Sequence, residues 1–170
     1  MNPLRLLKDV VAALHGGSDP RHLAAGFALG AALGLIPKGN LFAVVFLLLF
    51  FALRLNKGLA LLAAAFFTPL GYVVDGLAHS IGLALLKAPA LAGLWTALYD
   101  LPVIPLTRFN NTVVLGNLVL GLALFAPLYF VFLRFVAWYA ANLAAKVEKL
   151  KVVQWLKGLR LVQLYQEWAP

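Results

Sequence analysis

Residues 23–53 form one long apolar stretch that is interrupted near its middle by the sequence Pro37-Lys38-Gly39-Asn40. Hydrophobicity places this stretch in a bilayer, where a proline, a cation and an amide are poorly tolerated. A broken backbone at membrane depth survives only where protein or a wet cavity satisfies its freed polar groups. The interruption therefore indicates a specialised site in the chain.

The composition indicates a membrane protein made of helices. Of 170 residues, 64% are hydrophobic and 12% are charged, and the mean hydropathy is +0.93. Soluble domains are about 45–50% apolar and about 25% charged. The apolar segments are long and do not alternate with polar residues, which favours helices over barrel strands. We expect an all-α integral membrane protein with re-entrant or broken helices, transmembrane helices and an amphipathic surface helix at each end.

The charge is strongly basic, with 14 Lys and Arg against 6 Asp and Glu and a formal net charge of +8. The basic residues flank apolar segments, a pattern typical of positive-inside topology and of contact with anionic lipids on the cytoplasmic face. Because no basic patch with interleaved aromatic residues is evident, we expect no nucleic-acid partner. The absence of cysteine excludes disulfides, thiolate catalysis and cysteine metal sites.

Two arrangements fit the interrupted stretch. Its halves, residues 23–36 and 41–53, would be about 21 Å and about 20 Å long as helices, short of the roughly 30 Å of a hydrocarbon core. They form either one kinked span or a re-entrant hairpin over residues 21–54. Arg21 precedes the stretch and Arg54 follows it, so the two basic ends favour the hairpin.

Glycines at four-residue spacing lie on one face of the first half, at Gly26, Gly30 and Gly34. Such a smooth face predicts close packing against another helix, with a substrate groove as the alternative. Asn40 and Asn56 each precede an apolar run, so they are interpreted as helix caps.

The later segments predict one membrane domain over residues 19–141. Residues 58–86 contain Pro69 and form either a kinked span, which we favour, or a second hairpin. Residues 88–109, with prolines and aromatic residues, suit an external interfacial loop. Residues 112–134 form a second span that Pro127 should kink.

Both ends of the chain are predicted to lie on the cytoplasmic surface. Residues 1–18 alternate charged and apolar residues at helical spacing, which predicts an uncleaved amphipathic helix. Residues 142–170 form a basic amphipathic helix that would bind either the membrane surface or a partner protein.

Few residues could carry chemistry. His79 and Ser80 are adjacent on a helix and point in different directions, so they make a poor nucleophile–base pair. Asp75 and His79 share a helix face, as a possible proton relay or as a simple ion pair at the membrane interface. The histidines and acids lack metal-ligand spacing. We expect no enzymatic activity, no metal and no cofactor.

The remaining candidates are polar residues that could bind a ligand anion or a lipid. Lys38 is the strongest single candidate. If residues 37–40 form a hairpin tip within the bilayer, its ammonium must pair with another group or contact water. The alternative is a tip that reaches the opposite interface, where Lys38 is simply solvated. The full candidate set is Lys38, Asn40, Arg54 and Arg108.

Four short motifs resemble an uncharacterised family of small bacterial inner-membrane proteins, a "domain of unknown function" family. They are Gly26-Phe27-Ala28-Leu29-Gly30, Gly34-Leu35-Ile36-Pro37, Leu53-Arg54-Leu55-Asn56 and Thr68-Pro69-Leu70. Many family members carry asparagine in place of Thr68. The run from Asn110 to Gly116 is similar to a further signature of one subgroup. The resemblance implies a location in the inner membrane and no established activity.

Two functions compete at this point. The first is a non-enzymatic inner-membrane subunit that anchors or feeds a larger envelope complex, in lipid handling or transport. The second is a small transporter or channel that uses the broken helices. The expected partners are anionic membrane lipids, together with another membrane or envelope protein or a second copy of the chain. A cluster of Lys38, Asp75, His79 and Arg108 around one cavity would favour transport, whereas a dry hairpin with an exposed apolar groove would favour the subunit.

Overall fold

A computed structural model describes residues 19–142 of the chain, and the expected all-α architecture is confirmed for this part. The α-helices are α1 (Pro20–Leu35), α2 (Leu41–Ala52), α3 (Lys57–Lys87), α4 (Ala92–Tyr99) and α5 (Thr112–Asn142). Short 3₁₀ turns, Pro89–Leu91 and Ile104–Thr107, lie on either side of α4. The predicted surface helices over residues 1–18 and from residue 143 onwards lie outside the described residues.

Polar side chains begin α2, α3 and α5 by accepting hydrogen bonds from the otherwise unpaired N–H groups of the first turn. Asn40 Oδ1 accepts from the Ala43 N–H at 3.0 Å, and Asn56 Oδ1 accepts from the Leu59 N–H at 2.8 Å. The predicted capping roles of these two asparagines are thereby confirmed. Asn111 does the same for α5.

The chain from α1 to the start of α3 is a helical hairpin. The Asn56 N–H donates to the His22 carbonyl at 3.2 Å, so the end of the segment returns to its beginning. Gly39 makes the turn with a φ of +86°, which glycine adopts without the steric penalty of a side chain. A single kinked helix is therefore excluded as the conformation of this segment.

Helix α1 is the centre of a three-helix bundle, and 11 of its 16 residues are buried. Helix α3 runs parallel to it, and α5 runs antiparallel to both. The antiparallel register follows from two contacts: Phe27 stacks on Phe132 with ring centroids 4.3 Å apart, and Leu23 packs near Val136. Helix α2 lies on the outside of the bundle and buries only Phe46 and Phe50.

Glycine lets the backbones of α1 and α3 come into contact. A Cβ atom placed on Gly30 would lie 2.1 Å from the Ala60 carbonyl oxygen, and one on Gly26 would lie 2.7 Å from that of Asn56. Gly34 meets α3 in the same way, one turn further along. The face formed by Gly26, Gly30 and Gly34 is thus covered by α3, which leaves no open groove there.

Helices α3 and α5 are both long and apolar enough to cross a membrane. Each has 31 residues, or about 46 Å at 1.5 Å per residue. Both continue through an internal proline, Pro69 in α3 and Pro127 in α5, so residues 58–86 form one helix and not a second hairpin. Only 22% and 11% of their most apolar windows are buried, unlike the core helix of a soluble protein.

The glycine contacts make a prediction about stability. Gly30→Ala should lower the free energy of unfolding by about 2 kcal/mol or more, because the new methyl group collides with backbone that cannot move aside. Gly76→Ala is the matched control, since no atom lies within 4 Å of its Cβ position and alanine favours helix over glycine. Melting temperatures in detergent, read by size-exclusion recovery after heating, should fall for the first variant alone. Equal melting temperatures would contradict close α1–α3 packing.

Candidate functional site

A cavity of about 380 Å³ lies beside the hairpin tip (residues 37–40), past the C-terminal end of α1 and between α3 and the start of α5. Helix α1 stops at this level while α3 continues past it, so no third helix fills the space. Its polar lining is Lys38, Asn40, Thr68, Tyr72, Asp75, Arg108 and Asn111. This cavity brings together three of the four residues that the sequence suggested for a transport site, namely Lys38, Asp75 and Arg108.

Lys38 turns back onto the end of α1. Its Nζ donates to the carbonyls of Gly34 at 3.2 Å and Ile36 at 2.8 Å, and to the Leu33 carbonyl. The last carbonyls of a helix lack partners within the helix and carry the negative end of its dipole. An ammonium has three N–H donors, and all three are used here. Lys38 therefore caps α1 and retains no donor for an anion.

Asn40 also binds within the break. It is buried, with 5% of its surface exposed; its Nδ2 donates to the Pro37 carbonyl at 2.6 Å, and its Oδ1 caps α2. The polar groups that the break exposes are thus satisfied by the residues of the break itself. The groups that remain available in the cavity come from α3 and from the loop before α5.

Asp75 is held by a hydrogen bond that crosses to α5. Its Oδ1 accepts from Asn117 Nδ2 at 3.0 Å, and Asn117 is fully buried. His79 bonds instead to Thr112, with 2.7 Å between Nδ1 and Oγ1. Within residues 19–142, Asp75 and His79 bind to α5 and not to each other, and only Asp75 lines the cavity.

Arg108 reaches the cavity from the loop that follows α4. It has a φ of +56°, a left-handed conformation that costs a non-glycine residue about 1–2 kcal/mol. The next residue, Phe109, is buried and stacks on Trp95, with ring centroids 5.7 Å apart. Trp95 in turn donates its Nε1–H to the Leu85 carbonyl of α3 at 3.0 Å. The position of Arg108 is therefore set by an anchored loop.

An apolar groove of about 510 Å³ lies on the other side of the tip. Its apolar lining is Leu33, Leu41, Ala43, Val44, Leu47, Ala64 and Leu106. It also borders Lys38 and Asn40, which line the polar cavity as well. The tip thus joins a polar cavity to an apolar groove that follows α2 away from it.

Arg54, the remaining candidate for ligand binding, does not line the cavity. Some residues that do lie at the site were not predicted from the sequence. Arg54 follows α2 at the opposite end of the hairpin, far from the cavity. Asn117 was missed, although an amide in a span without charge is a recognisable signal for a contact between helices. Tyr72 and Asn111 carry no such signal, because only the packing of α3 against α5 brings them to the cavity.

The described residues define an all-helical bundle whose two long apolar helices could span a membrane, with a polar cavity at the end of a shorter central helix. The chain belongs to the DUF2062 family, described as uncharacterized proteins conserved in bacteria, whose pattern matches residues 5–143. It is 36% identical over 129 residues to an uncharacterized protein of Treponema pallidum (strain Nichols), a match that covers 74% of this chain and 78% of the relative. No solved structure matches.

The capping role of Lys38 can be tested by substitution. Lys38→Met should lower the free energy of unfolding by about 1–3 kcal/mol, the cost of leaving buried carbonyls without partners. Arg108→Met removes a cation from the same cavity but no helix cap, so its melting temperature in detergent should stay close to that of the parent. Equal losses in both variants would show that the effect is one of net charge and not of capping.

Proposed function

We propose that the protein is a non-enzymatic inner-membrane subunit that holds a phospholipid at the hairpin tip and presents it to a larger envelope complex. The observation that carries this proposal is the meeting of a polar cavity and an apolar groove at Lys38 and Asn40. A phospholipid has the same division between a polar head group and apolar chains. Its head group would occupy the cavity, and one acyl chain would lie along α2.

Charge supports an orientation for the bundle. Arg21, Arg54, Lys57 and Arg134 all lie at the end where α1 and α3 begin, since Val136 packs beside Leu23 and Leu59 at that level. The other end carries three cations, Lys38, Lys87 and Arg108, so the positive-inside rule favours a cytoplasmic position for the end with four. Both termini of the described region lie there too, which agrees with a multi-pass protein whose two ends are cytoplasmic.

The depth of the cavity supports a lipid head group as its occupant. Asp75 lies 18 residues beyond Lys57 on α3, about 27 Å along the helix axis. The hydrocarbon core is about 30 Å thick, so the cavity falls near the external interface, where head groups of the outer leaflet lie. The groove then extends from that interface towards the bilayer centre, as an acyl chain does.

The outer face of α2 supports assembly with a partner. Val45, Leu48 and Phe51 are exposed on a helix of only 12 residues, which is too short to cross the bilayer by itself. A neighbouring membrane protein or a second copy of the chain could cover this face and receive the lipid. A small transporter or channel is the competing function, and the charged groups of the cavity favour it.

The lipid site can be tested by filling the groove. Leu47→Trp should weaken phospholipid binding about tenfold, equivalent to ~1.4 kcal/mol, because the larger ring occupies the groove. Leu48→Trp is the matched control, since Leu48 is the next residue along α2, is 63% exposed and does not line the groove. Lipid adducts would be counted by native mass spectrometry over a titration in detergent.

Three outcomes separate the candidate functions. A loss of binding with Leu47→Trp alone supports the proposal, and equal binding by both variants contradicts a lipid in the groove. Purification in mild detergent tests the subunit role, which fails if the protein elutes alone and passes ions or solutes when it is reconstituted in liposomes.

A further inference from the structure

The free polar groups of the cavity carry one positive and one negative charge. The three N–H donors of Lys38 are all used, Asn40 binds within the break through Nδ2 and Oδ1, and the Thr68 hydroxyl donates to the Ala64 carbonyl at 2.7 Å. The charged groups that remain are the guanidinium of Arg108 and the second carboxylate oxygen of Asp75. Within residues 19–142 neither of these groups has an ion-pair partner, so Arg108 and Asp75 do not neutralise each other.

From these two charges we infer that the head group bound here is zwitterionic, with a phosphate against Arg108 and a primary ammonium against Asp75, as in an ethanolamine phospholipid. This inference rests on the proposed lipid site and names the class of lipid. A guanidinium donates paired hydrogen bonds to phosphate oxygens. A carboxylate accepts hydrogen bonds from an ammonium, and Asn117 holds Asp75 in place for that contact.

The cavity also discriminates among head groups. A glycerol head group brings a phosphate without a cation, so it leaves Asp75 unpaired beside an anion. A quaternary choline has no N–H to donate and is best recognised by a cage of aromatic rings. Tyr72 is the aromatic residue in the cavity lining, and it is 75% exposed, so no cage is present among the described residues. A primary ammonium is the cation that fits.

The left-handed conformation of Arg108 agrees with this role. The backbone at this position is one that glycine adopts without penalty, yet an arginine occupies it. The loop that carries it is anchored through Phe109 and Trp95, which holds the guanidinium at the rim of the cavity. Backbone strain of about 1–3 kcal/mol is characteristic of binding sites where the surrounding structure fixes the residue.

The test compares lipids and variants in one titration by native mass spectrometry of the detergent-purified full chain. The parent protein should bind phosphatidylethanolamine about tenfold more tightly than phosphatidylglycerol or phosphatidylcholine. Asp75→Asn should abolish that preference, because an amide still accepts from Asn117 but no longer attracts an ammonium. Arg108→Gln should weaken the binding of all three lipids. Asp100→Asn and Lys87→Gln, which change the same charges outside the cavity, should leave the preference intact.

Each result has a defined consequence. An unchanged preference in Asp75→Asn, or none in the parent, overturns the zwitterionic site while the lipid site stands as long as Leu47→Trp weakens binding. If Leu47→Trp has no effect, the proposed lipid site itself fails.

Glycerophosphoethanolamine, the head group without chains, should compete poorly with the lipid. Competition equal to that of the lipid would mean that the ligand is a soluble phosphoester. Should Asp75→Asn fail to fold, N-acetylated phosphatidylethanolamine tests the same charge with the parent protein, and undiminished binding of it contradicts the inference.

Discussion

The contact between the backbones of α1 and α3 at Gly30 and Ala60 is the constraint on which the rest of the bundle depends. In a bilayer the hydrophobic effect does not drive helices together, so association depends on close van der Waals packing and on hydrogen bonds between helices. Helix α1 spans only about 24 Å and cannot cross the hydrocarbon core by itself. The glycine contacts with α3 hold it at the centre of the bundle, and Gly82 and Gly116 bring α5 equally close to α3. A short central helix is stable because two longer ones enclose it.

A short helix at the centre leaves its last carbonyls without partners inside the helix. The four residues of the break divide this task. Pro37 ends α1, Lys38 binds its last carbonyls, Gly39 supplies the turn and Asn40 begins α2. The charge at the tip is therefore largely a requirement of folding. This separates the residues that build the site from Asp75 and Arg108, where one carboxylate oxygen and the guanidinium remain free to bind.

The sequence predicted the elements well and the site only in part. Apolar run length, flanking basic residues, glycine spacing and Asn caps are all read directly from the sequence, and they led to the hairpin, the packing face of α1 and the long helices. The sequence could not show whether Lys38 binds an anion, contacts water or caps a helix. That choice depends on the conformation of its side chain. The separation of Asp75 from His79 had a different cause. Residues four apart share a helix face, but the register of α5 gives each its own partner, Asn117 and Thr112. Register between helices is a property of tertiary packing that spacing along one helix does not contain.

The cavity exists because α1 is shorter than its neighbours. Gly71 of α3 lies against the last residue of α1, Leu35, and from there α3 continues to Lys87 beyond the end of α1. The cavity is bounded by α3, by the start of α5 and by the loop that carries Arg108.

One more turn on α1 would fill this volume with apolar side chains and would also remove the hairpin tip that joins it to the groove along α2. The break in the apolar stretch thus has two consequences: it ends α1, and it leaves a polar space beside that end. In the proposed orientation this space lies at the external interface. Because the same residues border the groove on the other side, a molecule that is polar at one end and apolar along its length matches both volumes, whereas a small soluble ion would use only one of them.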